Sequence, residues 1–335
     1  MDVEPEYPRK PMAAGHVVVA VLVALVLAAF LNARGMRKSA EIREQGWERE
    51  TSIALTRPLA AVSGWLLLDR PRAAIKDAIG HGEDDRLRSG TAFQPESVAP
   101  PLPAIDETPA NRPVFTAAKP LRLWLGGDSL VVTPGESIVR AAEATGAVRS
   151  VAPVDGRVAT GLERPEVFDW YAHLRRELTR LQPDAVVLSF GGNDDHDYMS
   201  GVPDGVSLGA FGSEAWTAEY RRRVGAVMDL VARRARLLLW VGLPITGDTA
   251  QSQRFDTINA IVHEEAERRR ARVAFVDTYT LLTGPDGGYA QYLSGDRGTL
   301  EKVRRSDGVH LERAGGDIVA AEVMRELERR FELRG

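Results

Sequence analysis

The chain opens its pattern with an unbroken apolar run. From Val17 to Leu31 the sequence VVVAVLVALVLAAFL carries 15 residues without a polar side chain. Adding Ala13, Ala14 and Gly15 across His16 brings the segment to the ~20 residues of a membrane-spanning helix. A buried core helix usually keeps a polar face, and this run has none. A cleaved leader needs small residues before its cleavage site, and Leu31-Asn32-Ala33 is a poor match. An uncleaved anchor over residues 13–32 is therefore expected. From Lys38 to Glu83 charged residues interleave with Ile42, Trp47, Ile53, Leu55, Leu59, Val62 and Leu66–Leu68, and Pro58 and Pro71 fall inside the stretch. This reads as one or two helices beside the membrane, bounded or kinked by the prolines.

Between Thr91 and Pro120 seven prolines fall in thirty residues with few bulky apolar ones. Such a segment cannot bury enough surface to offset its ordering entropy, so residues 91–118 read as a linker and the folded domain as 119–335. Within that domain, short apolar runs alternate with amphipathic stretches. Leu121–Gly126, Ala185–Phe190, Leu237–Leu243 and Val273–Asp277 have the composition of strands buried on both faces. Helical patterns occupy Ser137–Thr145, Phe168–Leu181, Trp216–Ala235, Thr257–Ala271 and Ala314–Leu333. Strand–helix alternation with right-handed crossovers predicts an α/β fold, a three-layer doubly wound parallel sheet.

Composition narrows the chemistry. The formal charge of −4, with 43 Lys and Arg against 47 Asp and Glu, gives no basic surface for nucleic acid. There are no cysteines, which excludes disulfides, thiolate metal sites and a cysteine nucleophile. Arg34, Arg37, Lys38, Arg43 and Arg49 follow the apolar run while only Arg9 and Lys10 precede it. Counted alone, that asymmetry keeps the C-terminal part in the cytoplasm.

In a doubly wound sheet, sites form beyond the carboxyl ends of the strands. The first predicted strand ends in Gly126-Gly127-Asp128-Ser129, the next in Gly191-Gly192-Asn193-Asp194, and Asp307-Gly308-Val309-His310 precedes the last helix. A serine hydroxyl needs a base to take its proton as it attacks. His310 can be that base, with Asp307 three residues earlier to fix its tautomer and stabilise the imidazolium. As alternatives, Ser129 can cap a helix, Asn193 can shape a Gly-Gly-Asn turn, and Asp307 and His310 can be ordinary turn and surface residues.

These three blocks, in this order, resemble those of the SGNH (GDSL-like) hydrolase superfamily, over about residues 120–335. The resemblance implies an SGNH/flavodoxin-like sheet and acyl transfer through an acyl-enzyme, with Ser129, Asp307 and His310 catalytic. It also implies an oxyanion hole from the Ser129 amide, the Asn193 side chain and a glycine amide, Gly161 with Gly156 as the other choice. Proteins similar to this, with one anchor, act on acyl groups of cell-envelope polysaccharides or lipids, which implies an extracytoplasmic domain against the arginine count. Hydrolase and transferase share the triad and differ in what attacks the acyl-enzyme. A degenerate domain serving as an envelope scaffold is the non-enzymatic alternative, and a lipase or thioesterase facing the bilayer a third reading. No cofactor is expected.

Two further segments carry expectations. Asn193-Asp194-Asp195-His196-Asp197 places three carboxylates and an imidazole in five residues, but neighbours in a loop do not converge on one ion unaided, so no metal is expected. The Gly-rich, aromatic stretch from Tyr198 to Trp216 follows a catalytic strand, and Tyr198, Phe211 and Trp216 are expected to line the substrate cleft or a lid, or else to pack beneath the loop.

Overall fold

The computed structural model describes residues 14–41, 47–78, 93, 112–197, 199–202, 208–295 and 298–335. The chain divides into two compact units, Met1–Leu87 and Arg88–Gly335.

In the first unit, α1 (Ala14–Leu31), α2 (Ala33–Glu41), α3 (Trp47–Trp65) and α4 (Arg70–Ala78) follow one another. Pro58, expected to bound or kink a helix, lies inside α3 and does not bound it. The Ser63 hydroxyl donates to the Phe30 carbonyl at 2.6 Å, and Arg34 pairs with the buried Asp69. Side chains of α1 are exposed, among them Val18, Leu22, Leu25 and Val26. Its 18 residues extend about 27 Å at 1.5 Å each, against a hydrocarbon core of ~30 Å. Among the described residues no helix is long and apolar enough to cross a membrane. Ala13, the start of the expected span, lies outside them.

The second unit begins earlier than the expected boundary at Lys119. β1 (Val114–Thr116) pairs in parallel with β10 (Glu332–Arg334), and Phe115 meets Phe331 edge-on at 5.4 Å. Phe93 is also buried, against Tyr171, although the rest of the proline-rich segment, 94–111, lies outside the described residues. Reading residues 91–118 as a linker missed both anchors because each depends on residues far along the chain.

β2 (Leu121–Gly127), β3 (Val148–Ser150), β4 (Asp155–Gly156), β5 (Ala185–Ser189), β6 (Leu237–Val241) and β7 (Val273–Val276) form one parallel sheet in the order β3-β2-β5-β6-β7. Past the end of β3, β4 takes up the same edge of β2, Gly127 standing opposite Gly156. Along β5, Val186 and Leu188 face one core while Ala185 and Val187 face the other. That two-sided burial is why these strands read as continuous apolar runs. One core takes α6 (Trp170–Leu181), α7 (Glu214–Ala232) and α8 (Thr249–Glu267), the other α5 (Val132–Ala144) and α10 (Arg313–Arg330). The predicted three layers are thus present. α8 starts eight residues before the expected Thr257, because Asp248 caps it by accepting from the Gln251 amide. The short α9 (Thr278–Leu281) and the hairpin β8 (Tyr292–Ser294) to β9 (Leu300–Lys302) complete the unit.

The strand order reverses at β2, with β3 to one side and β5 to the other. A crevice opens at such a switch point, at the carboxyl ends of the strands. The Ser129 and Asn193 segments both leave the sheet there.

Candidate active site

Beyond β2 the chain turns directly into a 3-10 turn, Ser129–Val131, that leads into α5. Asp128 caps it: its carboxylate accepts from the Leu130 amide at 2.8 Å. The capping role open to Ser129 is therefore filled by its neighbour, and the serine hydroxyl is left for another partner. The other oxygen of Asp128 accepts the amides of Gly191 and Gly192 at 3.1 and 2.9 Å. One buried carboxylate thus joins the serine turn to the Gly-Gly-Asn segment. Burial raises the Asp128 pKa to about 7 despite these three amides.

The Ser129 hydroxyl meets His310 Nε2 at 2.9 Å, and His310 Nδ1 meets Asp307 Oδ2 at 2.9 Å. Asp307 also accepts the amides of Val309 and His310, each at 2.9 Å. Partial burial works against its charge, but these amides and the imidazole prevail and hold its carboxyl below the ordinary range. The turn is compact because Gly308 adopts φ +75°, a conformation costly for other residues. Its carbonyl accepts from the Gly247 amide at 3.0 Å, and the His310 carbonyl from the Arg305 amide at 2.8 Å. These bonds fix the histidine over the serine.

Asn193 is half-buried, and its amide nitrogen donates to the Thr160 carbonyl at 3.0 Å. Gly161, next in the chain, is buried, and its amide has no acceptor among the described residues. Gly156, the alternative, is committed to β4 beside Gly127. The geometry brings Ser129, His310 and Asp307 into one hydrogen-bonded chain and places the Asn193 and Gly161 segments in contact.

The acidic run after Asn193 does not converge. Asp194 points inward, to the amides of Leu162 and Glu163 and the Tyr220 hydroxyl; Asp195 pairs with Arg254 at 2.7 Å; Asp197 accepts from the Phe211 amide. His196 turns to Glu163 at 2.9 Å. Among the described residues no group of three His, Cys, Asp or Glu side chains is placed to hold a metal ion.

Trp216 does not line a cleft. It is fully buried, stacks on Tyr220 at 5.0 Å and donates to the His196 carbonyl at 3.1 Å. The indole is drawn inside because its ring packs in the core while its N–H still finds an acceptor. Phe211 is half-buried against it, and Tyr198 lies outside the described residues. The supports that sequence reasoning missed are Glu163, Tyr220 and Arg223, whose guanidinium donates to the carbonyls of Leu162, Glu163 and Ser200. Nothing in their local sequence marks them as buried. Only Asp194 carried a signal, through its place beside Asn193.

The chain is similar to an acetyl xylan esterase variant from Geobacillus stearothermophilus, with 17% identity, 65% of this chain and 97% of that chain covered and a TM-score of 0.45. It is also similar to a GDSL-like lipase from Bacteroides thetaiotaomicron, with 17% identity, 62% and 88% covered and a TM-score of 0.41. A third similar structure is an acylhydrolase from Bacteroides fragilis, described there as putative, at 16% identity, 66% and 92% covered and a TM-score of 0.41. No curated protein matches the chain. A family model does match, over residues 122–326, from the first residues of β2 to well into α10. The chain belongs to that family, described as Protein of unknown function (DUF459).

Proposed function

We propose that this protein is a serine ester hydrolase working through an acyl-enzyme. The observation that carries the reading is the continuous chain Asp307–His310–Ser129, with both links at 2.9 Å. In this reading His310 Nε2 takes the Ser129 proton as Oγ attacks the ester carbonyl, and Asp307 stabilises the imidazolium. The oxyanion is met by the amides of Ser129 and Gly161 and the side chain of Asn193. Collapse expels the alcohol, protonated by His310, and a second acceptor then releases the acyl group. Water as that acceptor gives an esterase, and an alcohol gives an O-acyltransferase.

The finer reading is a cell-envelope glycan or lipid ester as substrate, reached by a domain held at the membrane and facing out of the cytoplasm. What supports it is α1, apolar from Val17 to Leu31 with its side chains exposed. Acidic residues among the arginines after it weaken their hold on orientation, and long domains translocate despite local charge.

The test is turnover of p-nitrophenyl acetate by the purified full chain beside Ser129→Ala, with mass spectrometry of the quenched enzyme. Serine-dependent turnover with an acetyl group on the Ser129 peptide is expected. A folded protein with neither turnover nor labelling would sink the proposal. Labelling with slow release to water, accelerated by added alcohols, would select the transferase.

A further inference from the structure

The two segments carrying the oxyanion-hole candidates are joined by a second carboxylate–imidazole pair. Glu163, two residues after Gly161, is fully buried; His196, three residues after Asn193, keeps 31% of its side chain exposed. His196 Nδ1 lies 2.9 Å from Glu163 Oε2, and the His196 amide donates to the same oxygen at 3.4 Å. Around them, Trp216 Nε1 donates to Glu163 Oε1, Asp194 accepts the Glu163 amide and Arg223 donates to the Glu163 carbonyl. The ring is therefore held on one edge only. Its other nitrogen, Nε2, has no hydrogen-bond partner among the described residues, although the side chain reaches solvent. This repeats the arrangement of Asp307 and His310, with the place of the serine hydroxyl left open.

We propose that His196, oriented by Glu163, contacts the alcohol portion of the ester and takes up one of its free hydroxyls at Nε2. The proposal rests on the esterase reading above. Position supports it, since three residues extend at most about 11 Å, which keeps His196 close to Asn193. Charge selects the ligand class. Asp195 lies 3.9 Å from Nδ1 and Asp197 is exposed beside it, and Arg254 already pairs with Asp195. An anionic ligand would meet these carboxylates, whereas a neutral hydroxyl would not. Protonation points the same way. With Glu163 ionised and the imidazole neutral, Nε2 accepts; with one further proton on the pair, Nε2 donates. Burial raises Glu163 to about 7, and the Glu163 hydrogen bond raises His196, so both shifts favour the further proton. A hydroxyl both donates and accepts, so it is bound in either form. Glu163 is a positioning residue here and His196 a specificity residue for hydroxyl-rich esters such as partly acylated sugars.

The test compares two acetyl esters in the full-length protein: a glucose monoacetate, which retains free hydroxyls, and p-nitrophenyl acetate, which has none. His196→Ala should raise KM for the sugar ester on the order of tenfold, as for one lost hydrogen bond, and leave kcat and the p-nitrophenyl ester nearly unchanged. His196→Gln, which retains a polar group at that position, should recover part of the loss. Equal effects on both esters, or no effect on either, would overturn the assignment and leave the esterase reading intact. Absence of Ser129-dependent turnover on p-nitrophenyl acetate in the wild-type protein would overturn both.

Discussion

Asp194 accepts the amides of both Leu162 and Glu163, at 2.8 and 2.9 Å, and so ties the segment after β5 to the one before α6. Gly161 is the residue that makes this approach possible. A Cβ built there would stand 1.9 Å from Asp194 Oδ1, so any side chain must displace the carboxylate.

Gly161→Ala should therefore act as a double lesion. Displacing Asp194 orphans two amides at about 1–3 kcal/mol each, and it moves the proposed oxyanion donor. A stability loss of roughly 2–6 kcal/mol in urea unfolding is expected, with kcat down about 10²-fold or more. Asp194→Ala should produce the same pair of effects. A Gly161→Ala protein with wild-type stability and turnover would show that neither contact matters.

In the proposed site the expected order of damage follows the geometry. Ser129→Ala should remove the acyl-enzyme altogether. Asp307→Asn exchanges a carboxylate acceptor for an amide at His310 Nδ1 and should cost roughly 10³-fold in kcat. Asn193→Ala, which removes one oxyanion donor, should cost about 10²–10³. Steady-state kinetics on p-nitrophenyl acetate measure all three, and a nearly active Asp307→Asn would mean that His310 is oriented without it.

Stability of the second unit should fall as pH rises from about 4 to about 7. Asp128 and Glu163 are buried carboxyls raised to about 7 from ordinary values of 3.8 and 4.5. For a group raised by folding, the stabilising contribution is complete below the unfolded pKa and is lost as pH climbs through the folded one. Asp307 works in the opposite sense, because its carboxyl is lowered and its contribution fades only under acid conditions. Urea midpoints at pH 5, 6, 7 and 8 should decline for the wild type, and the slope should flatten in Glu163→Gln. A stability profile rising across this window would contradict the assignment.

Arg304 offers a test of burial cost. Its side chain is fully buried just before the Asp307 turn, with Nη1 donating to the Val309 carbonyl at 3.2 Å. Among the described residues Nε and Nη2 have no hydrogen-bond partner, and the guanidinium carbon lies 5.7 Å from the centre of the Tyr289 ring. Burial pushes the guanidinium down to about 10. Replacing an under-satisfied buried charge with an apolar side chain of similar length is often neutral or stabilising. Arg304→Met is expected to hold or raise stability by about 1–3 kcal/mol. A marked loss of stability would assign the arginine a structural role that its contacts do not reveal.

Much of the architecture was legible because it is written locally. Each of the four long predicted strands was found within a few residues of its expected place, since burial on both faces demands an apolar run whatever the neighbours are. The short strands escaped, because β1, β4 and β10 are two or three residues long and exist only through their pairing. Helix starts were missed where a polar cap leads the helix, as Asp248 does for α8. Trp216 was left with two readings for a related reason: an aromatic residue in a loop reads alike whether it faces a cleft or the core.

At the site the same division holds. By itself the sequence determined that Asp307 and His310 share one turn, because three residues with a glycine between them leave few alternatives, and that Ser129 and Asn193 leave strands at the same edge. Only the tertiary structure decided what meets across the chain: His310 on Ser129 over 181 residues, Asp128 on Gly191 and Gly192, Asp194 on Leu162 and Glu163, and Glu163 on His196. Apolar burial is imposed by composition over a few residues. The burial of a charged group requires a partner, and that partner is supplied by strand order and register.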